Sequence, residues 1–254
     1  MLHYSSDFTQ RLLCEAGLRE GMRVLDIGCG MGDVSFLAAS LVGRTGAVIG
    51  VDINENVLAL ARQRAKETGD PAPTFVKGDL NDLPGDLGVF DAIVGRRVLM
   101  YQPDSVEAVR VLMKRLVPDG LIALQELDMT MVPASIVPMP LHERAAAWLR
   151  HMLVTEGADV QMGFHLHGVL TQAGLRVEGV RAEAVVQTPD QPNNLGAMIK
   201  GGLSRIVDSG AVSAAEIDVE TFQDRLNAER LETNATYISD MMFGAWARKP
   251  ADHW

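Results

Sequence analysis

The chain has 254 residues, of which 47% are hydrophobic and 22% charged, a balance typical of a soluble globular protein with a sizeable buried core. Its 23 lysines and arginines against 33 aspartates and glutamates give a formal net charge of −10, which opposes binding to long nucleic acids. Two cysteines are too few for a disulfide framework, and no apolar run approaches the length of a membrane span, so we expect a cytoplasmic protein with no membrane partner.

Short β-type runs alternate with amphipathic segments of helical length from residue 22 to about residue 127, which is typical of βαβ units around a parallel sheet. The predicted strands cover residues 22–27, 47–52, 74–77, 90–95 and 121–126, and the predicted helices cover residues 34–42, 54–67 and 104–116. Residues 176–184 predict a sixth strand, and residues 235–247 predict a seventh, antiparallel strand at the sheet edge. The sequence therefore predicts an α/β fold with a doubly wound, Rossmann-like, seven-stranded sheet.

Three segments outside this alternation are longer than minimal connections and have the character of helices. They cover residues 1–16, 128–174 and 188–233, and we expect them to form a helical lid over the carboxyl edge of the sheet, where open α/β sheets bind ligands. The prediction is one domain over residues 1–254, with a core made of residues 17–127, 175–187 and 234–249. We expect a monomer or a homodimer.

The strongest local signal is a glycine-rich loop between the first predicted strand and the first predicted helix, in the run VLDIGCGMGDV. Without a Cβ, Gly28, Gly30 and Gly32 permit a tight turn and let main-chain N–H groups approach a bound molecule. A dinucleotide site has the spacing G-x-G-x-x-G, which here places Asp33 in the third glycine position, close to a diphosphate. The spacing therefore favours a ligand without phosphates, and an NAD-dependent oxidoreductase on the same fold is the alternative.

Two carboxylates follow the next two predicted strands. Asp52 ends the second strand 20 residues after Gly32, the distance at which an acidic side chain meets a ribose diol in βαβ units. Asp79 follows the third strand, where it can accept a hydrogen bond from an adenine amine. Each has a purely structural alternative, a helix N-cap for Asp52 and a turn for Asp79, but their order after the glycine loop favours an adenosine site.

The runs VLDIGCGMG, VDIN, GDL and FDAIVGRRVL, with the PDG turn before LIALQE, occur in this order over residues 22–127. In this respect the chain resembles the class I S-adenosylmethionine-dependent methyltransferases and is most similar to bacterial members that act on small molecules. The resemblance implies S-adenosyl-L-methionine as cofactor, with the glycine loop at its methionine part, Asp52 at its ribose, Asp79 at its adenine and Arg96 beside its carboxylate. The implied cofactor-binding residues are Asp26, Gly28, Gly30, Gly32, Asp52, Ile53, Asp79, Leu80 and Arg96.

Methyl transfer from a sulfonium is an in-line displacement, so its main requirement is that both reactants are held in line in a site that excludes water. The resemblance implies a small-molecule acceptor, a bacterial (secondary) metabolite of natural product biosynthesis, and no metal is expected. The candidate catalytic residues are Tyr101, His142 and His165. We expect a mostly apolar acceptor pocket, with Trp148 and Phe164 beside the two histidines in its walls. A non-catalytic cofactor-binding module is the second alternative.

Overall fold

A mixed β-sheet forms the centre of the fold in the computed structural model, which describes residues 2–131, 134–191 and 193–251. The strands are β1 (Arg23–Ile27), β2 (Ala47–Asp52), β3 (Thr74–Lys77), β4 (Phe90–Arg96), β5 (Leu116–Asp128), β6 (Ala134–Ser135), β7 (Arg176–Gln187) and β8 (Tyr237–Arg248). The helices are α1 (Leu2–Glu15), α2 (Asp33–Val42), α3 (Glu55–Thr68), α4 (Ser105–Met113), α5 (Pro140–Thr155), α6 (Met162–Gln172), α7 (Leu195–Gly201), α8 (Leu203–Asp208), α9 (Ala214–Ile217) and α10 (Val219–Thr233).

The strand order is β3-β2-β1-β4-β5-β8, with β7 on the outer side of β8 and the two-residue β6 also paired with β8. Strands β1 to β5 are parallel, and β8 is antiparallel to both β5 and β7. The predicted Rossmann-like α/β sheet with an antiparallel last strand is therefore confirmed. The short β6 makes an eighth strand that the sequence did not predict.

The predicted edge position of the last strand is wrong, because β8 lies between β5 and β7. Its consecutive residues Met242, Phe243, Gly244 and Ala245 are all buried, as expected for a strand that is covered on both faces. The exposed edge is β7, which carries Arg176 and other charged residues in alternation with apolar ones. Charges on an edge strand oppose pairing with further chains.

Alternate residues of the central strands point to two apolar clusters on opposite faces of the sheet. Val24 and Val94 join the cluster with α2, whereas Leu25 and Ile93 join the larger cluster with α4, α5 and α6. Helix α4 ends at Met113 rather than at the predicted residue 116, because the chain already pairs with β4 at Leu116. Both faces of the sheet are therefore covered by helices.

Two segments predicted as lid lie on the sheet instead. In α1, Phe8, Leu12 and Leu13 are at most 1% exposed and pack on β8 and the adjacent strands. In α6, Leu166 and Leu170 are fully buried against the sheet. By contrast, α5, α7, α8 and α10 pack on one another and form a helical cap. In the described ranges, no helix combines the length and apolar character that a membrane crossing requires.

Candidate active site

The glycine loop between β1 and α2 depends on backbone conformations that other residues rarely adopt. Gly28, Gly30 and Gly32 have φ angles of 57°, 54° and 89°. A Cβ at Gly28 would lie 2.7 Å from Val98 Cγ2, and one at Gly32 would lie 2.7 Å from Phe75 Cζ. A Cβ at Gly30 would meet no atom within 4 Å, so the loop is packed on both sides and open at its middle glycine.

A cleft of about 400 Å³, the glycine-loop cleft, follows the carboxyl ends of β1, β2 and β3. Its lining includes five of the nine predicted cofactor-binding residues, namely Gly28, Asp52, Ile53, Asp79 and Leu80. Asp52 Oδ2 accepts a hydrogen bond from the Gly30 N–H at 2.9 Å, so the acidic side chain and the loop hold one another. Asp79 Oδ1 accepts from the Asn81 N–H at 2.8 Å, and its carboxylate stays exposed.

A second cavity of about 500 Å³ lies between the sheet edge and the helical cap. We call it the Met-rich cavity, because its lining includes Met100, Met129, Met152, Met198 and Met242. Leucines from α5 and α7 complete its apolar wall, and Arg96, Gln125 and Leu127 contribute from β4 and β5. Such a wall suits a ligand with an apolar body.

Arg97 and Tyr101 line both cavities and therefore mark their junction. Arg97 has a φ of 57°, unusual for a residue with a side chain, and its N–H donates to Gln125 O at 2.7 Å. Next to it, Glu126 Oε1 accepts from the N–H groups of Val98 and Leu99 at 2.9 and 2.7 Å. This buried carboxylate fixes the turn that carries both junction residues.

The junction carries the guanidinium of Arg97 and a neutral phenol from Tyr101. Within the described residues, the Arg97 guanidinium forms no ion pair. Burial raises the pKa of Tyr101 above its ordinary value, although the positive charge of Arg97 opposes this shift. At neutral pH, Tyr101 is therefore a hydrogen-bond donor rather than a phenolate base.

The other four predicted cofactor residues, Asp26, Gly30, Gly32 and Arg96, are not part of the glycine-loop cleft lining. Asp26 is 1% exposed, and its Oδ2 accepts from Ser35 Oγ at 2.5 Å while its Oδ1 has no partner within the described ranges. Burial raises the pKa of Asp26 to about 7. Arg96 lines the Met-rich cavity and lies 3.4 Å from the carboxylate of Asp33. The same carboxylate also pairs with Arg64 at 2.9 Å.

His142 lines the Met-rich cavity, but both of its ring nitrogens are engaged by the protein. Its Nδ1 lies 2.7 Å from Glu229 Oε2, and its Nε2 lies 3.3 Å from Asn193 Nδ2. The same Asn193 nitrogen donates to the hydroxyl of Tyr237 at 2.8 Å. Because Asn193 Oδ1 accepts from the Leu195 N–H at 3.2 Å, the orientation of the amide is fixed.

The other predicted wall residues lie elsewhere. His165 is exposed on α6, outside the lining of both cavities, with its Nδ1 2.6 Å from Asp159 Oδ2. Trp148 packs on Phe222, and Phe164 packs on Phe243. Across the residues placed by the structure, no group of three or more His, Cys, Asp or Glu side chains could hold a metal ion.

Sequence reasoning missed several residues of the Met-rich cavity. Arg97 had a signal, since it adjoins Arg96 directly after β4. Tyr237 had none, because it lies in a segment that the sequence indicated only as a strand. Gln187 had none either, because the predicted strand ended at residue 184, whereas β7 continues to Gln187. Asn193 and Glu229 lie in the connection around α10 and meet His142 only in the folded chain.

Comparisons with known proteins agree with this geometry. A family model described as a methyltransferase domain matches residues 18–174, more than half of the chain. The demethylmenaquinone methyltransferase of Staphylococcus aureus is 30% identical over 124 residues, which are 49% of this chain and 51% of the relative. The demethylmenaquinone methyltransferase of Lactococcus lactis is 32% identical over 113 residues, 44% of this chain and 45% of the relative. The chain thus matches about half the length of these curated relatives.

Two solved structures share the fold over nearly the whole chain. The YcgJ protein of Bacillus subtilis has a TM-score of 0.62 at 20% identity, covering 98% of this chain and 99% of that one. A SAM-dependent methyltransferase from Aquifex aeolicus has a TM-score of 0.55 at 18% identity, covering 94% of this chain and 88% of that one. At these identities the likeness concerns the fold alone.

Proposed function

The chain belongs to the methyltransferase domain family and uses S-adenosyl-L-methionine, and from this premise we propose that it methylates a compact, largely apolar small molecule, a (secondary) metabolite. When bound, S-adenosylmethionine supplies an electrophilic methyl group on a sulfonium. The proposal rests on one observation: the glycine-loop cleft and the Met-rich cavity meet at Arg97 and Tyr101. Molecules held in the two spaces would face one another at this junction.

The residues around the glycine loop fit the cofactor. Asp52 is placed to accept hydrogen bonds from a ribose diol, and Ile53, which is 66% exposed, offers an apolar surface to a flat ring. Among the residues that the structure describes, none pairs with the buried Asp26 Oδ1, and an amino group beside it would supply a partner and favour the charged carboxylate. Because no atom lies within 4 Å of a Cβ built at Gly30, a bound cofactor has room to approach the loop closely at this residue. We assign these residues, with Gly28, Gly32, Asp79 and Leu80, to cofactor binding.

The Met-rich cavity supports a small acceptor rather than a polymer. Its volume of about 500 Å³ and its methionine and leucine wall are typical of sites for compact ligands. The name of the demethylmenaquinone methyltransferases indicates a small-molecule acceptor for those relatives, but they match this chain over only about half their length. The choice of a compact, apolar acceptor is therefore based on the wall of this chain's own cavity.

Arg97 and Tyr101 are the chain's own groups at the junction. The guanidinium of Arg97 would stabilise negative charge on an acceptor oxygen, and the phenol of Tyr101 would donate a hydrogen bond to it. His142 is less suited to remove a proton, because both of its nitrogens already have protein partners. His165 lies outside both cavities. We therefore infer that orientation and electrostatics, rather than a histidine base, assist the transfer.

Calorimetry on chelator-treated protein tests the cofactor assignment. S-adenosylmethionine should bind without added metal, and Asp52→Ala should weaken this binding by about 1.5–3 kcal/mol, the range for hydrogen bonds to a charged group. The matched control is Asp70→Ala, which removes an exposed aspartate that pairs with Arg44 on the surface. Equal affinities of the two variants would contradict the role of Asp52.

Product formation tests the acceptor class. Release of S-adenosylhomocysteine should increase with one- and two-ring phenols and hydroquinones, and it should not increase with sugar phosphates or short oligonucleotides. Arg97→Gln should reduce this release while leaving the binding of S-adenosylmethionine measurable. Turnover stimulated only by the polar compounds would refute the proposed acceptor.

A further inference from the structure

The Met-rich cavity has a far end that lies well beyond the carboxyl edge of the sheet. The last residue of β5, Asp128, pairs with Met241 of β8, and Tyr237 precedes Met241 by four residues. At about 3.4 Å per residue, Tyr237 lies about 14 Å beyond the end of β5. On β7, Gln187 pairs with Tyr237. Both side chains line the cavity, whereas the junction residues lie at its other end, directly after β4.

Gln187 presents an unused amide at this far end. The residue is only 4% exposed and its side chain forms no hydrogen bond within the described part of the chain. The residue lines the cavity, so the donors and the acceptor of its amide can bind a molecule held there. The amide is therefore available to a polar group of a ligand.

Tyr237 presents a spare donor beside it. Its hydroxyl oxygen accepts a hydrogen bond from Asn193, but its own hydrogen has no acceptor among the side chains that the structure places. Burial raises the pKa of Tyr237 to about 12, so the phenol keeps its proton at neutral pH. The hydroxyl can therefore donate into the cavity.

A chain of hydrogen bonds holds this donor in place. Glu229 accepts from the Leu141 and His142 N–H groups at 2.8 and 3.0 Å, and its Oε2 lies 2.7 Å from His142 Nδ1. His142 Nε2 then faces the Asn193 amide that also reaches Tyr237. The network connects α5, α10 and β8, and thereby fixes the tyrosine hydroxyl relative to the cavity wall.

We propose that Gln187 and Tyr237 form a distal subsite that binds a neutral carbonyl oxygen at the end of the acceptor molecule opposite to the methylated one. Two hydrogen-bond donors side by side in the cavity lining match the lone pairs of one carbonyl oxygen. The charged groups that act on Tyr237 are Asp240, Glu229 and Arg230, with two carboxylates against one guanidinium. This balance disfavours a carboxylate. The subsite rests on the proposed function, because it concerns the same acceptor.

A pair of rigid probes of equal shape tests the subsite. The probes are 4-hydroxy-4′-acetylbiphenyl, which carries a carbonyl at the end away from its phenol, and 4-hydroxy-4′-ethylbiphenyl, which lacks it. Calorimetry with the full chain, saturated with S-adenosylhomocysteine, should give a dissociation constant roughly 2- to 10-fold lower for the acetyl probe, the range for one hydrogen bond.

Variants separate the subsite from general effects on folding. Tyr237→Phe and Gln187→Leu should each reduce the preference for the acetyl probe, and each ratio compares two ligands on the same protein, so a loss of stability cancels. The matched control is Thr236→Val, which removes the hydroxyl of the exposed residue directly before β8 and should keep the preference.

Equal binding of the two probes, binding of neither, or a full preference in Tyr237→Phe and Gln187→Leu would overturn the subsite. Binding of S-adenosylmethionine to the wild-type chain is measured in parallel. If that binding is absent, the proposed function itself fails; if it is present without a probe preference, the distal subsite alone fails.

Discussion

Replacing Gly28 with alanine should reduce stability more than replacing Gly30, although the two residues have nearly the same backbone conformation. Their φ angles are 57° and 54°, so alanine at either position has a similar conformational cost of roughly 1–2 kcal/mol. The difference lies in the space around the new Cβ. At Gly28 it would lie 2.7 Å from Val98 Cγ2, and at Gly30 nothing lies within 4 Å.

The clash sets the expected magnitude. Val98 is 8% exposed, and its N–H is held by Glu126, so it cannot move aside freely. Overpacking of this kind costs about 1–3 kcal/mol, which gives a total loss of roughly 2–5 kcal/mol for Gly28→Ala against roughly 1–2 kcal/mol for Gly30→Ala. Because Val98 follows Arg97, Gly28→Ala should also disturb the junction of the two cavities.

Urea unfolding measures both losses as differences in the free energy of unfolding. Val98→Ala and the double variant Gly28→Ala/Val98→Ala complete a cycle, in which the extra cost of Gly28→Ala should disappear once the valine methyl groups are gone. Equal losses for Gly28→Ala and Gly30→Ala, or an extra cost that persists without the valine, would refute the reasoning.

Two further predictions concern stability. Burial raises the pKa of Glu126 from 4.5 to about 7, so this carboxyl contributes stability at low pH that is lost as the pH rises through about 7. The amide oxygen of Glu126→Gln can still accept hydrogen bonds from the same two N–H groups. In urea unfolding from pH 4.5 to about pH 8, this variant should therefore lose about 3 kcal/mol less stability than the wild type. The control is Glu232→Gln at an exposed position, which should leave the pH dependence of stability unchanged. Phe8→Ala should lower the free energy of unfolding by about 3–5 kcal/mol, because this side chain of α1 is fully buried, and the exposed Gln10→Ala should change it by less than about 0.5 kcal/mol. If Phe8→Ala and Gln10→Ala lowered the free energy of unfolding by similar amounts, α1 would be a detachable lid, as the sequence had suggested.

In the folded protein, two arginines offset the charge of Asp33, which the sequence had suggested would act against a phosphate ligand. The carboxylate of Asp33 was expected to oppose a diphosphate at the glycine loop, but Arg64 and Arg96 both contact it and offset its charge. Neither arginine could be assigned to Asp33 from the sequence, since they lie 31 and 63 residues away. The family match, rather than this repulsion, identifies the cofactor class.

The sequence by itself determined the local elements and the polar residues that follow the first strands of the sheet. Strands β2 and β3 have the predicted bounds, because short apolar runs between glycine and polar residues specify buried strands. The glycine loop, Asp52 and Asp79 follow directly from their strands, and parallel strands bring their carboxyl ends to one edge of the sheet. These residues could be predicted because each occupies a fixed position relative to a strand end.

Only the tertiary structure decided which residues line the Met-rich cavity. Whether α1 and α6 cover the face of the sheet or its edge depends on which of their apolar faces pack against β8 and its neighbours. Strand β8 itself comes from the last part of the sequence and lies between β5 and β7. The network around His142 joins residues 87 positions apart, and Gln187 meets Tyr237 only because β7 pairs with β8. No local sequence pattern predicts these contacts, because residues far apart in the sequence can form hydrogen bonds only after long-range packing has brought their elements together.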